Sequence, residues 1–385
     1  MKFADRMSNL GTETAFEVLA KARKLEAEGK SIIHLEIGEP DFLTPENICN
    51  AAIDSINAGD THYTPSAGIP ELRSSIARYI SRTRGTEVHP DEIVMTPGAK
   101  PIMFFAILAL VNEGDEVIYP NPGFPIYESM IKFVGGVPVP IKLEESMSFA
   151  FNIENFRKLI TAKTKMVIIN TPQNPTGGIL TEDEIRQIAA SLKDRPDIWI
   201  LSDEIYSRLL FEGEHFSITQ IPGFKDRTII LDGFSKTYAM TGWRAGYGVM
   251  HVELAKRVAQ LMTNSNSCTN AMVQKACIEA YDGPQDSVEV MKAEFKIRRD
   301  IIVEGLNTIK GFSCIVPLGA FYAFPNITKT GYISKELSDH LLYKGGVASL
   351  AGTSFGEFGE GYLRFSYANS RENIKEAIRR IKEVI

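Results

Sequence analysis

Apolar residues recur along this chain in two rhythms, one helical and one extended. Phe16, Leu19, Ala20 and Leu25 fall on one face of a helix predicted over 13–28, which Gly29 ends. A run over 32–37 reads as a strand and stops at Gly38-Glu39-Pro40-Asp41-Phe42. Pro45 opens a second helix that Gly59 closes, and a third covers 70–84 with Gly85 behind it. Strands are then predicted at 93–96, 116–119, 137–141, 166–170, 199–203, 228–232 and 245–249. Helical stretches such as 100–111 and 181–192 lie between most of them. Short apolar strands separated by helices predict an α/β protein with a mostly parallel sheet.

The texture changes after about Pro284. A long, charged helix over 288–306 precedes shorter strands near 320–324, 347–349 and 362–366, and a last helix starts near Arg371. This predicts a smaller α+β domain. No internal repeat or low-complexity segment interrupts the pattern.

Composition narrows the classes. At 385 residues, 44% of them hydrophobic, the chain is large enough for two cores. A formal charge of -6 and the lack of a long Lys/Arg run argue against a nucleic-acid partner. Cys49, Cys268, Cys277 and Cys314 form no C-x-x-C pair, which predicts reduced, buried thiols in a cytoplasmic protein. Residues 1–9 are polar, without the apolar core of a signal peptide. The longest apolar run, 102–111, is far too short to span a bilayer. The six histidines have no metal-ligand spacing, so no metal is expected, and neither G-x-G-x-x-G nor a P-loop is present.

Active sites in open α/β sheets lie at the carboxyl ends of strands. Here those ends carry unusual polar residues. One strand runs into Asn170-Thr171-Pro172-Gln173-Asn174-Pro175-Thr176-Gly177, another into Asp203-Glu204-Ile205-Tyr206, and a third into Asp232-Gly233-Phe234-Ser235-Lys236. Thr96-Pro97-Gly98-Ala99-Lys100 leads from the first strand into a helix. An Asn, an Asp, a Tyr and a Lys thus converge on one edge. A lysine there suits Schiff-base chemistry, because burial or nearby positive charge lowers its pKa and frees the amine. A buried carboxylate would keep a pyridine nitrogen protonated, so that the ring withdraws electrons from a substrate α-carbon. The free N–H groups of Gly98, Ala99 and Lys100 at a helix start would suit a phosphate, with Arg244 adding a charge-assisted contact.

The runs Gly38-Glu-Pro-Asp-Phe, Asn174-Pro-Thr-Gly, Ser202-Asp-Glu-Ile-Tyr and Ser235-Lys-Thr-Tyr-Ala-Met-Thr-Gly-Trp-Arg244 closely resemble the class I/II aminotransferases. These are fold type I enzymes dependent on pyridoxal 5'-phosphate (PLP), and the resemblance is to the aspartate aminotransferase I-gamma group. Matches keep the family's order from about Gly38 to Tyr367. The resemblance implies a large domain over 37–283, with a mostly parallel seven-stranded sheet sandwiched by helices. It implies a smaller α+β domain from 1–36 and 284–385. The implied reaction moves the α-amino group of an L-amino acid to a 2-oxo acid by a PLP/pyridoxamine phosphate ping-pong, with 2-oxoglutarate expected as one acceptor.

The implied roles are specific. Lys236 binds the cofactor covalently and later moves the proton at the α-carbon. Asp203 pairs with the ring nitrogen, while Tyr206 and Asn174 hydrogen-bond its phenolic oxygen. Phe124 takes the position of an aromatic that stacks on the ring, although packing in the core explains it as well. Gly98, Ala99, Lys100 and Arg244 match the phosphate cup, and Tyr63 matches a tyrosine that reaches the phosphate of the neighbouring subunit, which implies a homodimer. Arg364 matches the arginine that grips the substrate α-carboxylate, a planar task that lysine does poorly, completed by Asn174 and the backbone of Gly38. The Asn-Pro bonds at Pro122 and Pro175 are expected to be cis. Phe16, Ile37, Tyr322 and Phe355 are expected beside the substrate side chain.

One departure stands out. Gly233 replaces a phosphate-binding serine of some relatives, which leaves open whether Ser235 takes its part. Tyr127 has two readings, support for Asp203 and core packing; Trp243 and Tyr238 read as packing residues. Two rival functions remain: a PLP-dependent carbon–sulfur β-lyase on the same fold, and a binding or regulatory protein without catalysis. The second is hard to reconcile with Lys236, Asp203 and Arg364 all present. No fused DNA-binding segment is seen ahead of the domain.

Overall fold

Apolar runs bounded by polar or glycine residues do become strands in the computed structural model, which describes residues 2–385. In chain order they are β1 (Ile33–His34), β2 (Ile93–Thr96), β3 (Glu116–Asn121), β4 (Val137–Lys142), β5 (Thr164–Asn170) and β6 (Trp199–Asp203). There follow β7 (Thr228–Gly233), β8 (Gly246–Val249), β9 (Tyr322–Ala323), β10 (Val347–Ala348), β11 (Leu350–Ala351) and β12 (Leu363–Ser366). Seven strands make one sheet in the order β2-β8-β7-β6-β5-β3-β4. Every pairing is parallel except those of β8, which is antiparallel to β2 and to β7. The interior strand β7 is buried along its whole length, as a strand covered on both faces must be. β4 lies at an edge, where Pro138 and Pro140 interrupt no further ladder.

A second apolar core forms around the small sheet β11-β12-β9, with Phe295, Leu306 and Phe321 from flanking segments buried in it. The long helix Asp286–Leu306 and the last helix Arg371–Val384 pack there. The strand expected over 32–37 shrinks to β1, paired in parallel with β10. Its remaining backbone groups find other partners. Leu35 O accepts from Ser366 N–H at 2.7 Å, and Glu36 O accepts from Arg364 Nη2 at 2.5 Å. Satisfied in this way, the segment has no need of a ladder. The expectation of buried thiols holds for Cys277 and Cys314, whereas Cys49 and Cys268 are only half-buried; all four are free. Both expected cis bonds are present, together with Thr171-Pro172.

One buried charge cluster ties the helix Pro70–Arg84 to the strands beneath the site. Arg84 Nε donates to Glu204 Oε2 at 2.6 Å, and its Nη2 donates to Asp232 Oδ2 at 2.8 Å and to Ser207 Oγ at 2.7 Å. Glu204 Oε1 also accepts from Ser202 and Ser217, at 2.8 and 2.7 Å. His215 Nε2 lies 3.0 Å from Glu204 Oε2. Burial opposes every charge here. His215 and Arg84 nonetheless hold the Glu204 carboxyl well below its usual range. Burial wins at Asp232 and pushes its carboxyl up to about 7, against the pull of Arg84.

Removing Arg84 leaves buried Asp232 without a cation and buried Glu204 with His215 alone. Arg84→Met should therefore cost about 3–5 kcal/mol of unfolding free energy. Arg78→Met, which breaks only the exposed pair with Asp282, should cost about 0–1 kcal/mol. Urea denaturation of both variants checks the contrast, and equal losses would refute it.

Candidate active site

Register brings the polar strand ends together. Asn170 pairs with Asp203 across β5 and β6, and Asp203 pairs with Leu231 across β6 and β7. Lys236 follows just beyond β7. Because β8 runs the other way, its amino end lies at this same edge, and Arg244 precedes it. The edge opens into a cavity of about 530 Å³. Its wall contains Gly38, Ala99, Lys100, Phe124, Asn174, Asp203, Tyr206, Ser235, Lys236, Arg244 and Arg364. Phe16, Ile37, Tyr322 and Phe355 line it as well. Gly98 stands behind the wall, and Tyr63 lies apart from it, 89% exposed.

Asp203 is almost fully buried. Tyr127 Oη donates to its Oδ2 at 2.5 Å, and Ile205 N–H donates to Oδ1 at 3.3 Å. Tyr127 thus fills both of its readings, core packing and support of Asp203. Burial raises the Asp203 carboxyl to about 6, against the two hydrogen bonds. Lys236 Nζ donates to Gly38 O at 2.6 Å. Burial brings this amine down to about 8; nearby Glu39 opposes that shift and Arg364 adds to it. The neutral fraction near pH 7 is then about a tenth, far above that of an ordinary lysine, and the neutral amine is the form that attacks an aldehyde.

The small sheet supplies the facing wall. Arg364 pairs with Leu350 on one side of β12, and Ser366, two residues on, pairs with Tyr322 on the other. Residues two apart share a face of a strand, so Arg364 and Tyr322 look the same way. The guanidinium carbon lies 4.5 Å from the Tyr322 ring centroid and 4.8 Å from that of Phe355. Arg364 Nη1 donates to Asn174 Oδ1 at 3.0 Å, and its Nε is buried with no partner. Tyr322 Oη is 2.7 Å from Tyr206 Oη. A Cβ at residue 38 would collide with that Tyr322 hydroxyl, which is why glycine is needed there.

Opposite lies the start of the helix Lys100–Leu110. No side chain caps it and no acid occupies its first turn. Gly98 has a φ of 84°, in the region that favours glycine, and a Cβ there would collide with Arg244 Nη2. Arg244 itself has a φ of 55°, a strained conformation for a bulky residue. Its Nη1 donates to Thr241 O at 2.9 Å. The uncapped helix start and this guanidinium make a place for an anion.

Sequence reasoning missed Glu13, Thr14, Glu39, Thr241 and Leu350 in the wall. Glu39 and Thr241 sit inside runs that had been singled out, and Leu350 could be inferred from pairing with Arg364. Nothing in the local sequence of Glu13 or Thr14 marks them.

A mostly parallel sheet with a half-buried lysine and a buried carboxylate at its carboxyl edge, faced by a buried arginine from the small sheet, is the arrangement of a fold type I PLP-dependent transferase. The Thermus thermophilus aspartate aminotransferase, solved with maleate, superposes with a TM-score of 0.96 at 34% identity, each chain covered completely. An aromatic aminotransferase from Pyrococcus horikoshii gives 0.90 at 36% identity, over 95% of this chain and 98% of that one. The aspartate aminotransferase of Bacillus sp. strain YM-2 is 42% identical over 389 aligned positions, covering 99% of this chain and 98% of that protein. The model of the aminotransferase class I and II family matches residues 30–381, and the chain belongs to that family. It is a PLP-dependent enzyme that transfers amino groups, and the lyase reading is not favoured.

Burial of Asp203 has a measurable consequence. Its folded value of about 6 lies above the ordinary 3.8, so the folded chain binds this proton more tightly than the unfolded one. The contribution to stability therefore falls as pH rises through that window. Asp203→Asn removes the penalty. The cofactor-free variant should gain up to about 3 kcal/mol over the parent on going from about pH 4 to about pH 7.5. Urea midpoints at both pH values measure it, and an unchanged difference would count against the burial argument.

Proposed function

We propose that Lys236, Asp203 and Arg364 divide the work of amino transfer in this cavity. The observation that carries this reading is Arg364 Nε, buried and unpartnered beside Asn174 and facing the same space as Lys236 Nζ. PLP fits the donor set: an amine with a lowered pKa, a buried carboxylate, and an anion cradle at the helix start. When bound, PLP supplies an electron-withdrawing ring conjugated to the substrate nitrogen.

Lys236 Nζ is the covalent anchor and, once released, takes the α-proton and returns it. Asp203, kept in place by Tyr127, would pair with the ring nitrogen. Tyr206 and Asn174 would hold the phenolic oxygen, and Phe124 would supply an aromatic face for the ring. Gly98, Ala99, Lys100 and Arg244 would hold the phosphate, with Ser235, which lines the same cavity, as a further donor. Arg364 takes the α-carboxylate with Asn174 and the backbone at Gly38. Phe16, Ile37, Tyr322, Leu350 and Phe355 then surround the side chain, which suits apolar or aromatic substrates, with 2-oxoglutarate as one acceptor. Relatives named for aspartate and for aromatic amino acids bracket these choices.

The assembly we propose is a homodimer in the cytoplasm, each subunit dividing into 37–283 and 1–36 with 284–385; residue 1 lies outside the described residues. Tyr63 and Leu43 are 89% and 92% exposed in the single subunit, and such uncovered apolar side chains suit burial against a second copy. The free cysteines fit a reducing compartment. No described helix is long and apolar enough to cross a membrane.

A visible absorption spectrum before and after a panel of amino acids is the direct test. A yellow band that converges on the amine form with certain amino acids identifies the donors; ammonia released without an acceptor would instead indicate lyase chemistry. Lys236→Ala should keep PLP through its phosphate but lose the yellow band and nearly all turnover, and full activity would refute its role. Arg364→Ala should retain PLP while raising the amino-acid KM about 10–100-fold, the worth of a lost charged hydrogen bond. An unchanged KM would remove Arg364 from the carboxylate site.

A further inference from the structure

Four cations line the cavity: Lys100, Lys236, Arg244 and Arg364. Three are committed on the reading above, to the anchor, the phosphate and the α-carboxylate. Lys100 contributes its backbone to the cradle, which leaves its ammonium as the one lining cation among the described residues not yet given a task. That ammonium is already held by the Glu13 carboxylate. It also lies 5.5 Å from the centroid of the Phe124 ring, which keeps it at the wall.

Glu13 arrives from far away in sequence, just ahead of the helix Ala15–Ala27. Its segment is pinned upstream, where Gly11 N–H donates to Ser129 Oγ at 2.8 Å. The next residue adds no anchor, since Thr14 Oγ1 is buried without a partner. The carboxylate of Glu13 is also close enough to raise the pKa of Lys236 and of Arg364. It therefore sits within the electrostatic field of the site and not merely on the rim.

We propose that Glu13 is a specificity-determining residue that occupies Lys100 as an internal carboxylate, so that dicarboxylic amino and 2-oxo acids must displace it while neutral side chains leave the pair intact. The inference rests on the reading of this cavity as the amino-acid site. Two carboxylates cannot share one ammonium without repulsion, so an incoming acidic side chain gains only the difference between its own contact and that of Glu13. Substrates with apolar side chains meet a neutral pair and lose nothing. Dicarboxylates remain usable, 2-oxoglutarate included, because only a side-chain rotation is needed to release Lys100.

The test uses the PLP-loaded enzyme and its Glu13→Gln variant, which keeps the shape and removes the charge. Succinate and propionate are bound in turn and followed by the cofactor's absorption; neither carries an amino or oxo group to react. Glu13→Gln should tighten succinate about tenfold, and propionate by no more than about twofold through loss of a general negative field. The L-aspartate KM should fall by a similar factor, with the L-phenylalanine KM changing by no more than about twofold. Glu13→Ala should act in the same direction. Succinate binding that stays equal or weakens would overturn the proposal, and so would equal tightening of both acids. Competition between propionate and L-phenylalanine in the parent enzyme tests the α-carboxylate site separately, so the two readings can fail independently.

Discussion

The contact between Arg84 and two buried carboxylates is the constraint on which the site's shape depends. One guanidinium joins the end of a surface helix to Glu204, beyond β6, and to Asp232, within β7. Asp203 immediately precedes Glu204, and Lys236 lies four residues after Asp232. The spacing between the carboxylate and the amine at the catalytic edge is therefore fixed from behind. Apolar packing would hold the same strands at less electrostatic cost. A charged crosslink has a narrower range of acceptable geometries, because each hydrogen bond fixes both distance and direction.

The edge itself runs against the preferences that govern the rest of the chain. Asp203 is buried where its charge is disfavoured, Lys236 is half-buried where its amine sheds a proton, and Arg244 holds a strained backbone. Each departure is supported by a neighbour that does no chemistry itself. Tyr127 answers Asp203, Gly38 O receives Lys236, and Thr241 O and Pro97 O receive Arg244. The surrounding apolar cores supply the stability from which these costs are met.

Much of this was legible in the order of residues. The seven sheet strands follow from apolar runs, and their polar ends point to one edge once the sheet is taken as parallel. The strand over 32–37 was predicted too long, because Leu35 and Glu36 bond across to Ser366 and to the Arg364 side chain outside any ladder. Arg84 was read only as the end of a helix. Its partners are 120 and 148 residues away, and no local pattern distinguishes a buried arginine from an exposed one. Glu13 escaped for the same reason, since its meaning comes wholly from Lys100. What the sequence conceals is pairing between distant elements, while what it displays is periodicity and the residue types at strand ends.

Tyr322 links positions that are remote along the chain. Its hydroxyl meets Tyr206 and excludes any side chain at 38, and its ring lies against Arg364. Inheritance at these positions is accordingly coupled. A side chain can enter at 38 only after residue 322 has become smaller, and a smaller residue 322 leaves Tyr206 and Arg364 with one neighbour fewer. Drift at any of the four must therefore follow a restricted order of changes, and a library that varies them one at a time will misjudge which combinations are viable.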